Sequence, residues 1–212
     1  MNAAMFGIHD YGLFVLSAVL LNLAPGQDTL YILGRSIGQG RRIGVASALG
    51  VSAGTLVHTF AAALGLSAII AASGVAFLAI KVIGAAYLVY LGVRAILARS
   101  SLLGLDMVRT GDARTAFRQG LVTNVLNPKV ALFFLAFLPQ FVDGNAANAM
   151  LGFLVLGLTF VATGTIWVLV LAIAAASVRR FFERRASAQA WLSRAMGAMF
   201  IYLGVRLAMS ER

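Results

Sequence analysis

Two short polar stretches interrupt long apolar runs, and their residue types could bind a small charged solute. The first is Asn22-Leu23-Ala24-Pro25-Gly26-Gln27-Asp28, and the second is Asn124-Val125-Leu126-Asn127-Pro128-Lys129. Each stretch combines asparagine, one charged side chain, and a proline that removes a backbone donor and breaks a helix. Backbone groups freed at membrane depth cannot face lipid, so they must face protein or a watery cavity.

The charged residues of the two stretches have opposite signs and suit opposite ends of a zwitterion. Asp28 is a candidate partner for an ammonium group and Lys129 for a carboxylate, while the half-helix after each proline offers N–H groups to an anion. In a competing interpretation, Asp28 and Lys129 neutralise one another as a structural or gating ion pair. The asparagines could bind substrate or satisfy the broken backbone. We assign to substrate binding or translocation Asn22, Pro25, Gly26, Gln27, Asp28, Asn124, Asn127, Pro128 and Lys129.

Threonines and one histidine lie at helical spacing in two other apolar runs. Thr55, His58 and Thr59 fall on roughly one helix face, and Thr159 and Thr163 echo the threonines in the second half of the chain. We assign these five residues to a proton relay or to the polar lining of a pathway, because histidine gains and loses a proton near physiological pH. The alternative for His58 is a hydrogen bond to a neighbouring helix.

The composition is that of a polytopic membrane protein. Of the 212 residues, 61% are hydrophobic and 11% are charged, and the mean hydropathy is +0.93, whereas a soluble domain carries roughly 25% charged residues. The net charge of +10 does not indicate nucleic-acid binding, because the basic residues lie in short loops between apolar runs. Cysteine is absent, and we expect no metal site, no cofactor and no catalytic residue.

Six apolar segments are long enough to cross a hydrocarbon core, which takes about 20 helical residues. They are predicted at 10–33, 43–72, 75–97, 118–141, 149–176 and 190–209. Basic residues concentrate after the first, third and fifth segments, and the first of these loops is expected to hold Arg35, Arg41 and Arg42. The excess of positive charge on the cytoplasmic side therefore places both termini outside the cytoplasm.

An internal duplication indicates how these segments are arranged. Tyr90-Leu91-Gly92-Val93-Arg94 recurs letter for letter at 202–206. Because each half has three spans, an odd number, the halves must insert in opposite senses. The sequence predicts an all-α polytopic membrane protein of six transmembrane helices, built as two inverted three-helix repeats at 1–100 and 115–212. They form a single transporter domain, 1–212, with a cytoplasmic linker at 99–118. Broken segments at corresponding positions of such repeats indicate the binding site.

Several motifs resemble the LysE/RhtB family of amino-acid exporters. They are Asn-Leu-Ala-Pro-Gly at 22–26, Gly-Arg-Ser-Ile-Gly-Gln-Gly at 34–40, Gly-x-Ser-x-Gly at 50–54, Asn-Pro-Lys at 127–129 and Phe-Leu-Pro-Gln-Phe at 137–141. The resemblance implies an inner-membrane, secondary-active exporter of amino acids or close derivatives such as threonine, homoserine or homoserine lactone, coupled to the proton gradient, and not an enzyme. The family usually has Pro-Gly-Pro where this chain has Pro25-Gly26-Gln27, so we expect a softer break here.

Two other functions are compatible with the same residues. One is export of a metal ion or another small cation, and the other is a non-transporting membrane scaffold subunit. For the favoured function the expected partners are the lipid bilayer, a small zwitterionic substrate and protons, without nucleic acid. A homodimer is compatible with the sequence, although no dimer face is evident in it.

Overall fold

The computed structural model of the chain describes residues 6–23, 25–72, 74–97, 111–143, 146 and 148–184, with isolated positions at 191, 194, 197–198, 201–202, 204–205 and 208–209. Its long elements are helices. They are α1 (Tyr11–Leu23), α2 (Gln27–Gln39), α3 (Arg41–Ala72), α4 (Gly74–Leu97), α5 (Ala113–Val125), α6 (Pro128–Leu132) and α7 (Ala149–Arg184). A π-helical turn (Phe133–Phe137) and a 3₁₀ turn (Leu138–Phe141) continue α6.

Within these residues, two helical segments are long and apolar enough to cross a membrane unaided. They are Arg41–Gly65 of α3 and Ala149–Ala175 of α7. Two bent helix pairs reach the same length together: α1 with α2 at 48°, and α5 with Pro128–Phe141 at 46°. Each bend coincides with a break predicted at a proline. A count of six spans stays a prediction, since most of 190–209 lies outside the described residues.

Several helix boundaries differ from the sequence prediction. Helix α2 continues to Gln39 and α3 begins at Arg41, so the prediction that Arg35, Arg41 and Arg42 lie in a loop is wrong, and α7 continues to Arg184 rather than 176. Residues 113–118 of the predicted linker belong to α5, while 99–110 lie outside the described residues. Hydropathy marks only the part of a helix that lies in hydrocarbon, whereas these helices continue as arginine-bearing polar turns.

The start of α5 has a side-chain cap. Asp112 precedes the helix, and its Oδ1 accepts a hydrogen bond from the backbone N–H of Thr115 at 2.8 Å. This is the usual way in which an aspartate satisfies one of the open N–H groups of a first helical turn. Hydrogen bonding from the Thr115 side chain, and then from its backbone N–H, holds the pKa of the Asp112 carboxyl below its usual range.

The buried Arg35 fastens α2 to α5. Its side chain is 1% exposed, and its guanidinium donates to Gln39 Oε1 at 2.9 Å and to Gln119 Oε1. It also lies 5.7 Å from the ring centre of Tyr31, whose hydroxyl donates to the carbonyl of Ala116 at 2.6 Å. A buried guanidinium needs such partners, because its desolvation would otherwise be costly.

An aromatic cluster holds the second bent segment against α1. Phe14 is wholly buried, and its ring centre lies 6.2 Å from Phe133, 6.3 Å from Phe137 and 5.4 Å from Phe141. Offset and edge-to-face pairs of this kind add to the free energy gained by burying the rings. The packing fixes the helical turns that follow Pro128 relative to the helix that precedes Pro25.

Helices α3 and α5 cross with their backbones in contact. A Cβ atom at Gly50 would lie 2.0 Å from the carbonyl oxygen of Phe117, and one at Gly54 would lie 2.8 Å from that of Leu121. Only glycine allows this approach, which is the packing expected for small residues spaced four apart in a membrane. The crossing brings the middle of α3 against Asn124.

The repeated pentapeptides take part in reciprocal contacts. A Cβ atom at Gly92 of α4 would lie 2.6 Å from Ile201, and one at Gly204 would lie 2.8 Å from Val89. Within the repeat, position 92 corresponds to 204 and position 89 to 201. The glycine of each half therefore contacts the residue at the equivalent position of the other half.

Two glycine substitutions in α3 test the crossing. Gly50→Ala is expected to lower the free energy of unfolding by about 1–3 kcal/mol, because the added methyl overpacks the contact with α5. Gly65→Ala is the matched control: a Cβ atom there meets nothing within 4 Å, so we expect no loss of stability. Thermal unfolding of both variants in detergent measures the difference, and equal melting temperatures would contradict the close crossing.

Candidate functional site

The two breaks face a shared cavity of about 40 Å³. This volume holds roughly two or three water molecules. Of the nine residues assigned to binding or translocation, six line the cavity: Asn22, Gly26, Asp28, Asn124, Asn127 and Lys129. The other three, Pro25, Gln27 and Pro128, form the breaks themselves. The structure thus brings the two stretches together although about a hundred residues separate them in sequence.

Asp28, in the first turn of α2, accepts hydrogen bonds from the second stretch. Its Oδ2 accepts from Nδ2 of Asn124 at 2.8 Å and from Nδ2 of Asn127 at 2.9 Å. Its Oδ1 is buried and has no hydrogen-bond partner among the described residues. One carboxylate oxygen is therefore satisfied by the protein, while the other is buried without a hydrogen-bond partner among the described residues.

Lys129 of α6 contacts the first break. Its Nζ donates to the carbonyl oxygen of Leu21 at 3.1 Å. Leu21 precedes Pro25 by four residues, and proline has no N–H to donate to that carbonyl. Lys129 therefore satisfies a backbone group freed in the other half of the chain. Coulombic attraction links Lys129 to Asp28, yet the hydrogen bonds described above join each of them to a different partner.

The backbone groups freed at the second break form hydrogen bonds with two neighbouring side chains. Asn127 caps α6, since its Oδ1 accepts from the backbone N–H of Lys129 at 3.0 Å. The carbonyl of Asn124, four residues before Pro128, accepts from Nε2 of His58 at 3.1 Å and from the backbone N–H of Asn127 at 2.9 Å. In this structure His58 thus acts as a hydrogen-bond donor to a neighbouring helix.

Two of the assigned threonines bond to the asparagines of the opposite half. Thr55 Oγ1 donates to Oδ1 of Asn124 at 3.3 Å, and Nδ2 of Asn22 donates to Oγ1 of Thr163 at 3.2 Å. Each long helix, α3 or α7, thereby holds a broken span of the other half by a polar contact. Of these two threonines, Thr55 also lines the cavity.

The remaining assigned threonines bond away from the cavity. Thr59 is fully buried and donates to the carbonyl of Thr55, one turn earlier in α3, at 3.0 Å. Thr159 donates to Val155 O at 2.8 Å and bonds to the hydroxyl of Tyr11 at 3.1 Å. The structure therefore places these two hydroxyls at helix contacts, and their participation in a relay stays a prediction.

Several cavity residues were not assigned from the sequence. Thr165 and Ser52 bond through their hydroxyls at 2.9 Å, and Gly164 lies so close to Asn22 that a Cβ would be 3.1 Å from its Oδ1. The apolar wall consists of Leu21, Val51, Val130, Phe160 and Val168. Gly164 and Thr165 directly follow Thr163, so they could have been assigned to the site from their position in the sequence. The apolar wall could not, because its residues look like any others in apolar helices.

The absence of a second proline at position 27 does not remove the first break. The bend there is 48°, against 46° at Pro128, so the two breaks bend to a similar degree, and the softening expected from the missing proline stays a prediction. Pro25 alone removes the N–H, and Gly26 follows it in an extended conformation with φ −156° and ψ −170°. Gln27 is the first residue of α2 and its side chain is exposed.

The sequence pattern of one family, described as LysE type translocator, matches residues 19–211. This chain belongs to that family. An uncharacterised membrane protein of Pseudomonas aeruginosa is 33% identical to it, over 95% of this chain and 96% of the relative. A leucine efflux protein of an Enterobacter species is 30% identical over 97% and 98% of the two chains, and one of Salmonella typhimurium is 28% identical over 97% of each. No solved structure matches this chain.

Membership of the family decides two general properties. The chain is a multi-pass membrane protein in a lipid bilayer, in agreement with its apolar helices. It is a translocator and not an enzyme.

Substitution of His58 separates its two candidate roles. We expect His58→Leu to lower the free energy of unfolding by about 1 kcal/mol, because the Asn124 carbonyl loses a hydrogen bond in a partly buried place. His58→Gln keeps an N–H donor but cannot carry a proton at neutral pH, so we expect near wild-type stability and solute flux. A stable His58→Gln protein without flux would contradict the structural role and favour the relay.

Proposed function

We propose that this chain is a secondary-active exporter of amino acids, or of close derivatives, across the cytoplasmic membrane, and that the substrate is held between the two breaks. The observation that carries this proposal is the open carboxylate oxygen of Asp28 in a cavity lined by both broken spans. Membership of a translocator family and the names of the leucine efflux relatives support it. Coupling to the proton gradient is part of the proposal.

The charged ends of an amino acid would bind at two places on α2. Its ammonium group would donate to Oδ1 of Asp28. Its carboxylate would accept from the N–H groups of the first turn, because Gly26 at the N-cap supplies no side-chain hydrogen bond to them and helix N-termini attract anions. The N-terminus of α6 does not compete for the anion in the same way, since Asn127 already caps it.

The apolar wall favours an aliphatic side chain. Val51, Val130, Phe160 and Val168 line the cavity together with the hydroxyl-bearing Thr29, Ser52, Thr55 and Thr165, and the four apolar side chains offer no group to bond a hydroxyl. Relatives named leucine efflux protein agree with this preference. We therefore propose leucine and similar branched amino acids ahead of threonine, homoserine and homoserine lactone.

Release of the substrate requires the cavity to change size. About 40 Å³ is far less than typical ligand pockets of roughly 300–1,000 Å³, so we propose that the cavity widens when substrate enters. Two inverted three-helix repeats could open it to either side by rocking against each other. The reciprocal contacts of Gly92 with Ile201 and of Gly204 with Val89 support such a pseudo-two-fold relation.

We propose that both termini lie outside the cytoplasm.

Efflux from vesicles tests the proposal. Wild-type protein is expected to move labelled leucine, and faster with an imposed pH gradient. Asp28→Asn is expected to lower the rate at subsaturating leucine by about 10–100-fold, because a charge-assisted hydrogen bond to the ammonium is worth roughly 1.5–3 kcal/mol. Asp112→Asn is the matched control, since Asn remains a good N-cap outside the cavity.

The outcomes separate the alternatives. Normal efflux by Asp28→Asn would contradict the role of that carboxylate. If the wild-type protein moved no amino acid or derivative, the transport proposal would fail in this form, and metal ions or small cations would be tested in the same vesicles. A scaffold subunit would show no flux for any solute, whichever residue is replaced.

A further inference from the structure

The ammonium group of Lys129 resembles the ammonium of an amino acid in charge and in its three N–H donors. It lies in the same cavity as the open oxygen of Asp28, and its described hydrogen bond is to a backbone carbonyl, Leu21 O, at 3.1 Å. That carbonyl is available because Pro25 cannot donate to it. A freed carbonyl that shares a cavity with a carboxylate can bind a cation, and here the side chain of Lys129 supplies that cation.

We propose that Lys129 is a tethered stand-in for the substrate's ammonium group. In the substrate-free transporter its Nζ occupies the ammonium subsite at the Leu21 carbonyl, within coulombic reach of Asp28, and it withdraws when substrate enters. The inference rests on the proposed function and gives Lys129 a role different from binding the substrate's carboxylate. The four-carbon stem of lysine allows the withdrawal without a change in the backbone.

The size of the cavity supports a displacement. The space of about 40 Å³ holds water but no amino acid, and Lys129 is one of the longest side chains lining it. Valine, leucine and asparagine side chains on packed helices have little freedom to retreat. Withdrawal of Lys129 would vacate both space and one oxygen acceptor, the carbonyl of Leu21, in one movement.

Charge balance indicates what the exchange accomplishes. A loaded transporter carries the substrate's ammonium beside Asp28, whereas an empty one would have to pass through its cycle with an uncompensated buried carboxylate. Such a charge costs several kcal/mol. Lys129 removes this cost in the empty state, so the empty transporter can return and net export can proceed. Substrate and Lys129 alternate at one subsite.

Two flux measurements on reconstituted protein test this role. Lys129→Met keeps the length of the side chain and removes the charge. This variant is expected to retain leucine–leucine exchange but to lose net efflux into leucine-free medium. Its KM for exchange is expected to fall about tenfold if Lys129 fills the subsite of the wild-type protein nine-tenths of the time. Lys129→Arg keeps the charge and is expected to retain net efflux.

Leucinamide, which has the ammonium but no carboxylate, identifies the end of the substrate that Lys129 meets. We expect Lys129→Met to lower the KM for leucine and for leucinamide alike. A raised KM for leucine with an unchanged KM for leucinamide would overturn the inference and make Lys129 a carboxylate ligand. Parallel loss of exchange and net efflux in folded protein would also overturn it. Failure of the proposed function itself would differ, because the wild-type protein would then move no leucine.

A measurement on the unmodified protein covers the case in which Lys129→Met does not fold. The chain has two lysines, Lys81 and Lys129, so acetylation of each can be followed by mass spectrometry with Lys81 as internal reference. Leucine is expected to accelerate acetylation of Lys129, by about tenfold for nine-tenths initial occupancy. Protection of Lys129 by leucine, or no change, would overturn the inference.

Discussion

The structure depends on satisfying two backbone carbonyls that prolines leave open at membrane depth. In hydrocarbon each unsatisfied carbonyl costs several kcal/mol. Lys129 donates to Leu21 O before the first proline, and His58, together with the backbone N–H of Asn127, donates to Asn124 O before the second. Both side-chain donors are nitrogens of basic residues from another element. The backbone carbonyls at the breaks are thus hydrogen-bonded by side chains that can rotate away. In a continuous helix the same carbonyls would be bonded by the backbone itself.

Close helix packing and the polar site depend on one another. The same crossing that needs glycine at positions 50 and 54 brings α3 against Asn124, where Thr55 bonds its side chain and His58 its carbonyl. Asn124 in turn reaches Asp28. A methyl group at the crossing would therefore push apart the helices that place this asparagine, so the packing of small residues and the geometry of the carboxylate form one constraint.

Residue type and spacing were sufficient to find the breaks, but not to find their partners. Pro25 and Pro128 could be located because proline in an apolar run has few explanations, and Asp28 because a carboxylate there is costly. The hydrogen bond from Lys129 to Leu21 could not be predicted, because every residue has a backbone carbonyl and the residue type does not show which one a side chain will bond. The buried Arg35 was placed in a loop because an arginine after an apolar run resembles a helix end. Its partners, Gln39 and Gln119, become neighbours only when α2 packs on α5.

The two breaks repeat the proline but not the charge, and this asymmetry suits a zwitterion. At the first break Asp28 keeps one open oxygen and the helix that follows has no side-chain cap. At the second, Asn127 caps the helix and His58 bonds the carbonyl. Two identical breaks would attract the same end of a solute twice. A first break that is open and a second that is internally satisfied instead leave one place for substrate, while the second half contributes the side chains that hold that place in order.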